Sequence, residues 1–310
     1  MKKVFIDGSA GTTGLRILER LSARKDIELV TLADEDRKNP VLRKKALNGC
    51  DVAILCLPDD AAREAVAMIE NEKVTVIDAS TAHRTLPDWA YGFPELSEAH
   101  AEKVRKSKRI AVPGCHASGF LALVYPLVES GAISIDAQIC CHSLTGYSGG
   151  GKQMIAEYES KERSALLDAP RQYGLTQTHK HLPEMKKISG LESEPLFCPI
   201  VSDFYSGMVV TVPLFAKQLV NGYDISSIKK ILAGKYTGPV VNYSDGTVYG
   251  AFLSANALQG RDSMAVSVLG NADRIILTAV FDNLGKGASG AAVQCLNLVI
   301  GADPACGLVL

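Results

Sequence analysis

The sequence predicts an α/β protein in two parts: a doubly wound parallel sheet, then an α+β region on a mixed or antiparallel sheet. Three observations carry this. In the first third of the chain, short apolar runs alternate with segments of helical period. A glycine-rich turn joins the first run to the first helical segment. Beyond residue 115 the alternation gives way to longer β-rich segments.

"KKVFID" is a short apolar strand. "TTGLRILERLSAR" follows as a helix, with Leu15, Ile17, Leu18 and Leu21 on its buried side. "IELVTLA" is a second strand, and "DVAILCLP" a third, nearly all apolar, as a strand covered on both faces should be. "DDAAREAVAMIEN" spaces Ala62, Ala65, Val66 and Ile69 as a helix does. "VTVIDAS" and "RIAVP" complete five strands. Then "ASGFLALVYPLVESG" reads as a helix ended by Gly131. The β-rich segments are "AQICCHSLTG", "MVVTVPLFA", "TVYGAFLSANAL", "MAVSVLG" and "RIILTAVFD". One helix, "DISSIKKILAG", stands among them with Asp224 or Ser226 as its cap. The tail "KGASGAAVQCLNLVIG" is a helix carrying Ala288, Ala291, Ala292, Cys295, Leu296 and Val299 on one face. The expected domains are residues 1–114, joined by the C-terminal helix 284–310, and residues 115–283.

The 310 residues suffice for two domains, each with its own core. A net charge of −1 without a long basic run gives no general attraction to nucleic acid or an anionic membrane. The first apolar run, Val4 to Ile6, is broken by Asp7 and Gly8, too early for a signal-peptide core, and no stretch is long enough to cross a bilayer. A cytoplasmic location is expected. The eight cysteines include no C-x-x-C pair, so reduced thiols are expected, with Cys56 and Cys295 as core fillers.

Gly8, Gly11 and Gly14 stand at G-x-x-G-x-x-G spacing between the first strand and the first helix. Glycines there permit a tight turn and let backbone approach a pyrophosphate, and the helix N-terminus supplies N–H donors, so a dinucleotide is the expected ligand. Past the second strand, Asp34 and Glu35 suit a free ribose hydroxyl, whereas Arg37 and Lys38 suit a 2′-phosphate; the four also fit a solvated loop. In "VPGCHASGF", Cys115 sits between a Pro-Gly turn and the start of a helix. A helix N-terminus favours the thiolate, which can attack an activated carbonyl and hold it as a thioester. "THKHLPEM" offers His179 and His181, with Glu184 behind them, as the acid/base partner. A His-x-His is also half of a metal site, but no matching cluster completes it, and no metal is expected.

Taken in order, these motifs make the chain resemble the N-acetyl-gamma-glutamyl-phosphate reductases, in their shorter form and over essentially the whole length. The glycine turn is followed by "DASTAHR" (Asp78 to Arg84) and "YGFPEL". Pro113-Gly114-Cys115 comes next, then "GYSGGG" (Gly146 to Gly151), His179 to Glu184, and "DNLGKGA" (Asp282 to Ala288). The resemblance implies Cys115 as nucleophile and His181 as acid/base. It implies substrate contacts from Arg84, His179, Glu184 and Tyr173. It implies NADP(H), held by Gly8, Gly11, Thr12, Thr13, Gly14, Arg37, Lys38, Ser148, Gly149 and Asn283. It further implies a small acyl-phosphate substrate and a homodimer or homotetramer. The chain departs from the longer form at His116, where tyrosine is usual, at "STAHR", and at Lys152. Alternatives are another semialdehyde or acyl-phosphate dehydrogenase, such as aspartate-semialdehyde dehydrogenase, and a non-catalytic dinucleotide-binding sensor.

Overall fold

A computed structural model describes residues 1–246 and 250–310; Thr247, Val248 and Tyr249 lie outside the described residues. The chain divides into two compact units, one of residues 1–114 with 288–309 and one of residues 115–287 with Leu310. Residues 284–287 therefore go with the second unit, and the last helix is confined to Gly290–Ile300 after a π-turn at Gly285–Ser289.

The first unit holds β1 (Lys2–Asp7), β2 (Ile27–Val30), β3 (Val52–Leu55), β4 (Thr75–Asp78), β5 (Ala90–Tyr91) and β6 (Arg109–Ala111). They form one parallel sheet of order β2-β1-β3-β4-β6-β5. Side chains alternate between two cores, as the period of a strand requires. Val4, Ile6, Val52, Ile54 and Ile77 enter one core, with residues of α1 (Thr12–Ser22), α4 (Glu98–Lys106) and α9 (Gly290–Ile300). Phe5, Ala53, Leu55 and Val76 enter the other, with α2 (Pro40–Gly49) and α3 (Asp59–Ala67). Ile17 and Leu21 of α1 are buried as expected, but Leu15 is 52% exposed: Gly14, Ile17 and Leu21 form the inner face, and Leu15 turns away from it.

The second unit is built on a seven-stranded mixed sheet: β7 (Cys140–Gly146), β8 (Arg171–Gln172), β9 (Leu196–Ser202), β10 (Met208–Phe215), β11 (Val241–Tyr243), β12 (Met264–Gly270) and β13 (Arg274–Phe281), in the order β11-β12-β13-β10-β7-β9-β8. Helix α5 (Cys115–Glu129) packs on β10 and β13 and is flanked by α7 (Leu182–Ser189) and α8 (Ile225–Lys235); α6 (Gly151–Glu159) follows the glycine loop. Asp224 caps α8, accepting from Ser227 N at 2.7 Å. The expected strand "TVYGAFLSANAL" is not one: its first three residues lie outside the described residues, and 250–258 form turns with Leu253 and Leu258 against Val209 and Val280. Its apolar residues cover a sheet face without joining the ladder.

Gly119 fixes how α5 meets the sheet. A Cβ there would lie 2.4 Å from Val210 Cγ2 and 2.9 Å from Phe281 Cε1. Gly234 of α8, by contrast, has open space at that position. Gly119→Ala is expected to destabilise the protein by about 1–3 kcal/mol through overpacking, and Gly234→Ala to stabilise it by about 0.5–1 kcal/mol. Urea midpoints of the two variants check both signs; equal shifts would contradict the close-approach reading.

Candidate active site

Strand β6 ends at Ala111, and Val112, Pro113 and Gly114 lead to Cys115, the first residue of α5. Proline and glycine stop the strand, and the apolar run from Ala117 sustains a helix buried on nearly every side. The thiol thus stands at the N-terminal end of a 15-residue helix. Ligand atoms of Cys115, His116 and His181 all lie within 4.8 Å of one another.

His181 is brought there by the start of α7. It is the N-cap of that helix, with Pro183 and Glu184 in the first turn, where a carboxylate suits the helix dipole. His181 Nε2 is 3.9 Å from Glu184 Oε1, and both side chains are buried. His179 turns its ring onto His181, with centroids 4.8 Å apart, and its Nδ1 accepts from His181 N at 3.3 Å.

The residue that sequence reasoning passed over is His116. It was read only as a departure from the family pattern, yet it is 97% buried against His179, His181 and Phe197. Its Nδ1 is 2.6 Å from Ser143 Oγ and its Nε2 is 2.7 Å from the Tyr173 hydroxyl. The available signal was adjacency to Cys115 in a chain with six histidines. Tyr173 is thereby tied to the cluster through His116. Both ring nitrogens of His116 are engaged with hydroxyls, so metal ligation through this ring would break a hydrogen bond; the trio reads better as a thiol with imidazoles than as a metal centre.

Ser148 and Asn283 pair with each other: Asn283 Nδ2 donates to Ser148 Oγ at 3.0 Å, and its Oδ1 accepts from Gly207 N at 2.8 Å. Gly149 lies beside them, where a Cβ would be 3.5 Å from Asn283 Nδ2.

In the first unit, Arg84 is buried with Nε donating to Val112 O at 2.9 Å and Nη2 to Ala79 O at 3.3 Å. The turn carrying it is fastened by Asp78, which accepts from Ser80 N (2.9 Å) and Ser80 Oγ (2.6 Å) and meets His83 Nδ1 at 2.6 Å. His83 stacks on Trp89 with centroids 4.1 Å apart, so the ring in "STAHR" also packs as an aromatic. The glycine turn follows the end of β1 in the same sheet. Gly8 has φ +85°, and a Cβ on it would sit 2.3 Å from Cys56 O; one on Gly14 would sit 2.3 Å from Gly8 O. Gly11 is different: its Cβ would meet only Gly8 O at 3.4 Å and Cys56 O at 3.9 Å. Internal packing demands glycine at 8 and 14 but hardly at 11. Gly11 is the N-cap of α1, whose opening residues include Thr12 and Thr13, and no side chain caps that helix. An uncapped helix start behind a glycine that its own fold does not require fits a bound phosphate. Past β2, Arg37 Nη1 pairs with Asp34 Oδ1 at 3.2 Å, and Lys38 is exposed beside it.

Burial holds two of the rings neutral. His116 is pushed down to about 3 by burial and then by His179 and Lys180, and His179 to about 4 by burial and Lys180. Unfolded, both bind protons below about pH 6.5. Between there and pH 4 the unfolded chain binds more protons, so the stability they contribute is full above pH 6.5 and lost as pH falls. Asp7, raised by burial, works in the opposite direction near the acid end. The urea midpoint should fall between pH 6.5 and 4.5, and less steeply in His179→Asn. A flat profile in the parent protein would contradict this.

Residues 3–104 match the family model for the semialdehyde dehydrogenase NAD binding domain, and 115–283 the one for the semialdehyde dehydrogenase dimerisation domain. N-acetyl-gamma-glutamyl-phosphate reductase of Sinorhizobium medicae is 45% identical over 97% of this chain and 99% of its own. The Burkholderia ambifaria enzyme of that name is 46% identical over 96% of each. Nostoc sp. N-acetyl-gamma-glutamyl-phosphate reductase 2 is 46% identical over 99% of each. Among solved structures, aspartate semialdehyde dehydrogenase II from Vibrio cholerae superposes with a TM-score of 0.74 at 17% identity, covering 97% of this chain and 98% of that one, which shows a shared fold. With both domain models in register and relatives alike from end to end, the chain belongs to the semialdehyde dehydrogenase family and, within it, to the N-acetyl-gamma-glutamyl-phosphate reductases.

Proposed function

We propose that this chain reduces N-acetyl-gamma-glutamyl phosphate to N-acetylglutamate 5-semialdehyde with NADPH and release of phosphate, in arginine biosynthesis. The observation that carries the reading is a thiol at the first residue of α5 with two imidazoles within 4.8 Å, in a chain 45% identical along its length to a reductase of that name.

Cys115 Sγ, as thiolate, attacks the acyl carbon. The C–O bond to phosphate breaks, phosphate leaves with the electron pair, and a thioester forms. The α5 N-terminus stabilises the thiolate before attack. A reduced nicotinamide, when bound, would supply hydride to the thioester carbon. His181 donates a proton to the oxygen formed there and recovers it as the thiohemiacetal collapses to aldehyde and thiolate, a role worth about 10²–10⁴-fold. Glu184 orients His181, and His179 and Tyr173 border the substrate. Arg84, its guanidinium plane fixed by two carbonyls, pairs with the phosphate or carboxylate of the substrate. Gly8, Gly11, Thr12, Thr13 and Gly14 would hold the cofactor pyrophosphate, and Ser148, Gly149 and Asn283 would hold the nicotinamide end. Arg37 and Lys38 face the 2′-phosphate; because Arg37 already pairs with Asp34, that acid is neutralised rather than opposed to the phosphate. The protein acts in the cytoplasm as a homodimer or homotetramer through residues 115–283. Among the described residues no helix is long and apolar enough to cross a membrane.

The test follows NADP⁺ reduction with N-acetylglutamate semialdehyde and phosphate, in parallel with aspartate semialdehyde. Preference for the latter would reject the substrate. Cys115→Ser is expected to keep fold and cofactor binding and lose turnover; substantial residual activity would remove the thiol from the mechanism. Gly11→Ala is expected to leave the urea midpoint within about 0.5 kcal/mol while weakening NADPH binding by fluorescence titration. Arg37→Ala should erode the preference for NADPH over NADH about tenfold or more, as one charge-assisted hydrogen bond allows. Unchanged NADPH affinity in the first, or an unchanged ratio in the second, would reject the cofactor assignment.

A further inference from the structure

We infer that Ser143 and His116 set the direction in which Tyr173 presents its phenolic proton, and that this proton is the hydrogen-bond donor for the oxygen that takes on charge when Cys115 adds to its substrate. The inference deepens the reading above and rests on it.

It comes from an account of buried protons. Ser143 Oγ is fully buried on β7, and among the described residues its hydrogen-bond partner is His116 Nδ1, at 2.6 Å. A neutral imidazole has one N–H and one bare nitrogen. If Nδ1 carried the hydrogen, it would donate to Ser143, and the serine's own hydrogen would be buried without an acceptor, a costly arrangement. The favoured tautomer leaves Nδ1 bare: Ser143 O–H donates to Nδ1, and Nε2–H donates to the Tyr173 oxygen, 2.7 Å away. That oxygen has then accepted a hydrogen bond and still holds its own proton. The serine, by having nowhere else to put its hydrogen, decides the orientation at the far side of the ring.

The proton so freed belongs to a phenol bonded to the ring next to Cys115, one nitrogen of which lies within 4.8 Å of the thiol and of His181. Burial, and then the charge of a Cys115 thiolate, raise the Tyr173 phenol, so it stays protonated and serves as a donor. His116 is kept neutral by burial and so remains a connector instead of a second acid. When the thiolate adds to an acyl carbon, the carbonyl oxygen gains charge, and a preorganised O–H aimed at it stabilises that charge. Tyr173 is the catalytic donor; His116 and Ser143 are positioning residues.

Two measurements test this on the full-length protein. In ¹⁵N-histidine-labelled enzyme, with the His116 signals assigned by their loss in His116→Gln, the expected tautomer is Nε2–H; an Nδ1–H tautomer overturns the chain of donors. Ser143→Ala should shift that ring toward Nδ1–H and lower kcat, and Ser143→Thr should restore both. A shift that Thr does not restore, or none in Ala, counts against the serine. Tyr173→Phe should lower kcat about 10²–10³-fold, as loss of one oxyanion donor does, with KM changed only a few fold. Alkylation of Cys115 by iodoacetamide, a displacement at saturated carbon that creates no oxyanion, should keep its parental rate. A parental kcat, or alkylation lost in step with turnover, overturns the proposal. If the parent turns over no acyl phosphate, the proposed function falls instead, while the tautomer still decides the hydrogen-bond chain.

Discussion

At Gly119 the backbone of α5 lies directly against β10 and β13, with no room for a side chain between. Gly119 is one helical turn beyond Cys115, so this contact places the thiol. The opposite wall is as tight: a Cβ on Gly287 would lie 2.9 Å from Cys115 Cβ. Gly287 is held by its N–H, which donates to Asp282 O, and the Asp282 carboxylate accepts from Ser206 Oγ and the backbone N–H groups of Gly260 and Leu284. A buried carboxylate with several donors is a rigid anchor. The "DNLGKG" stretch thus shapes the space around the cysteine, which accounts for its glycine better than turn chemistry alone.

The first unit uses a related device beneath its glycine turn. Asp7, at the end of β1, is buried and accepts from Arg43 Nε and Nη2 at 3.1 and 2.9 Å. Arg43 lies on α2, a helix started by Pro40 and capped by Asn39. Removing two charges from water costs more than a surface pair returns, and burial does raise Asp7 despite its partner. Such a pair adds little net stability. It does join the turn's root to a second helix, so the glycines at 8, 11 and 14 start from a fixed point.

The parallel sheet was legible because short, uniformly apolar runs such as "DVAILCLP", too short for a typical helix, alternate with segments of helical period. The motifs that carry Cys115, His179 and His181 were legible as spacing, and the fold brings Cys115 and His181 together. What escaped were elements whose cause is not periodic. Strand β9 carries Pro199, which argues against a strand, but β8 pairs only with Ile200 and Val201, and the Pro199 carbonyl turns to that side to accept from Tyr173 N. The missing N–H falls where the neighbouring strand has already ended. Conversely, the apolar residues around Leu253 and Leu258 suggested a strand, although they only roof a face of the sheet. His116 escaped for a third reason: its hydrogen bonds run to Ser143 and Tyr173, 27 and 57 residues away, a closeness that only the fold creates.

Three imidazoles within about two ring widths would repel one another if all were charged. Ring centroids of His116, His179 and His181 are 4.8 to 5.7 Å apart. The structure resolves this by unequal burial and unequal partners. His116 is sealed between two hydroxyls, neutral partners that give a positive charge no counter-ion. His179 stands next to Lys180, whose charge disfavours another. Among the described residues, His181 is the one of the three with a carboxylate within ion-pair reach, Glu184 at 3.9 Å. That pairing is what supports reading His181, and not its neighbours, as the acid/base in the function proposed above. The two rings that burial keeps neutral add no charge of their own, and their burial supplies a low-dielectric wall in which any charge pair at Cys115 would act more strongly than in water.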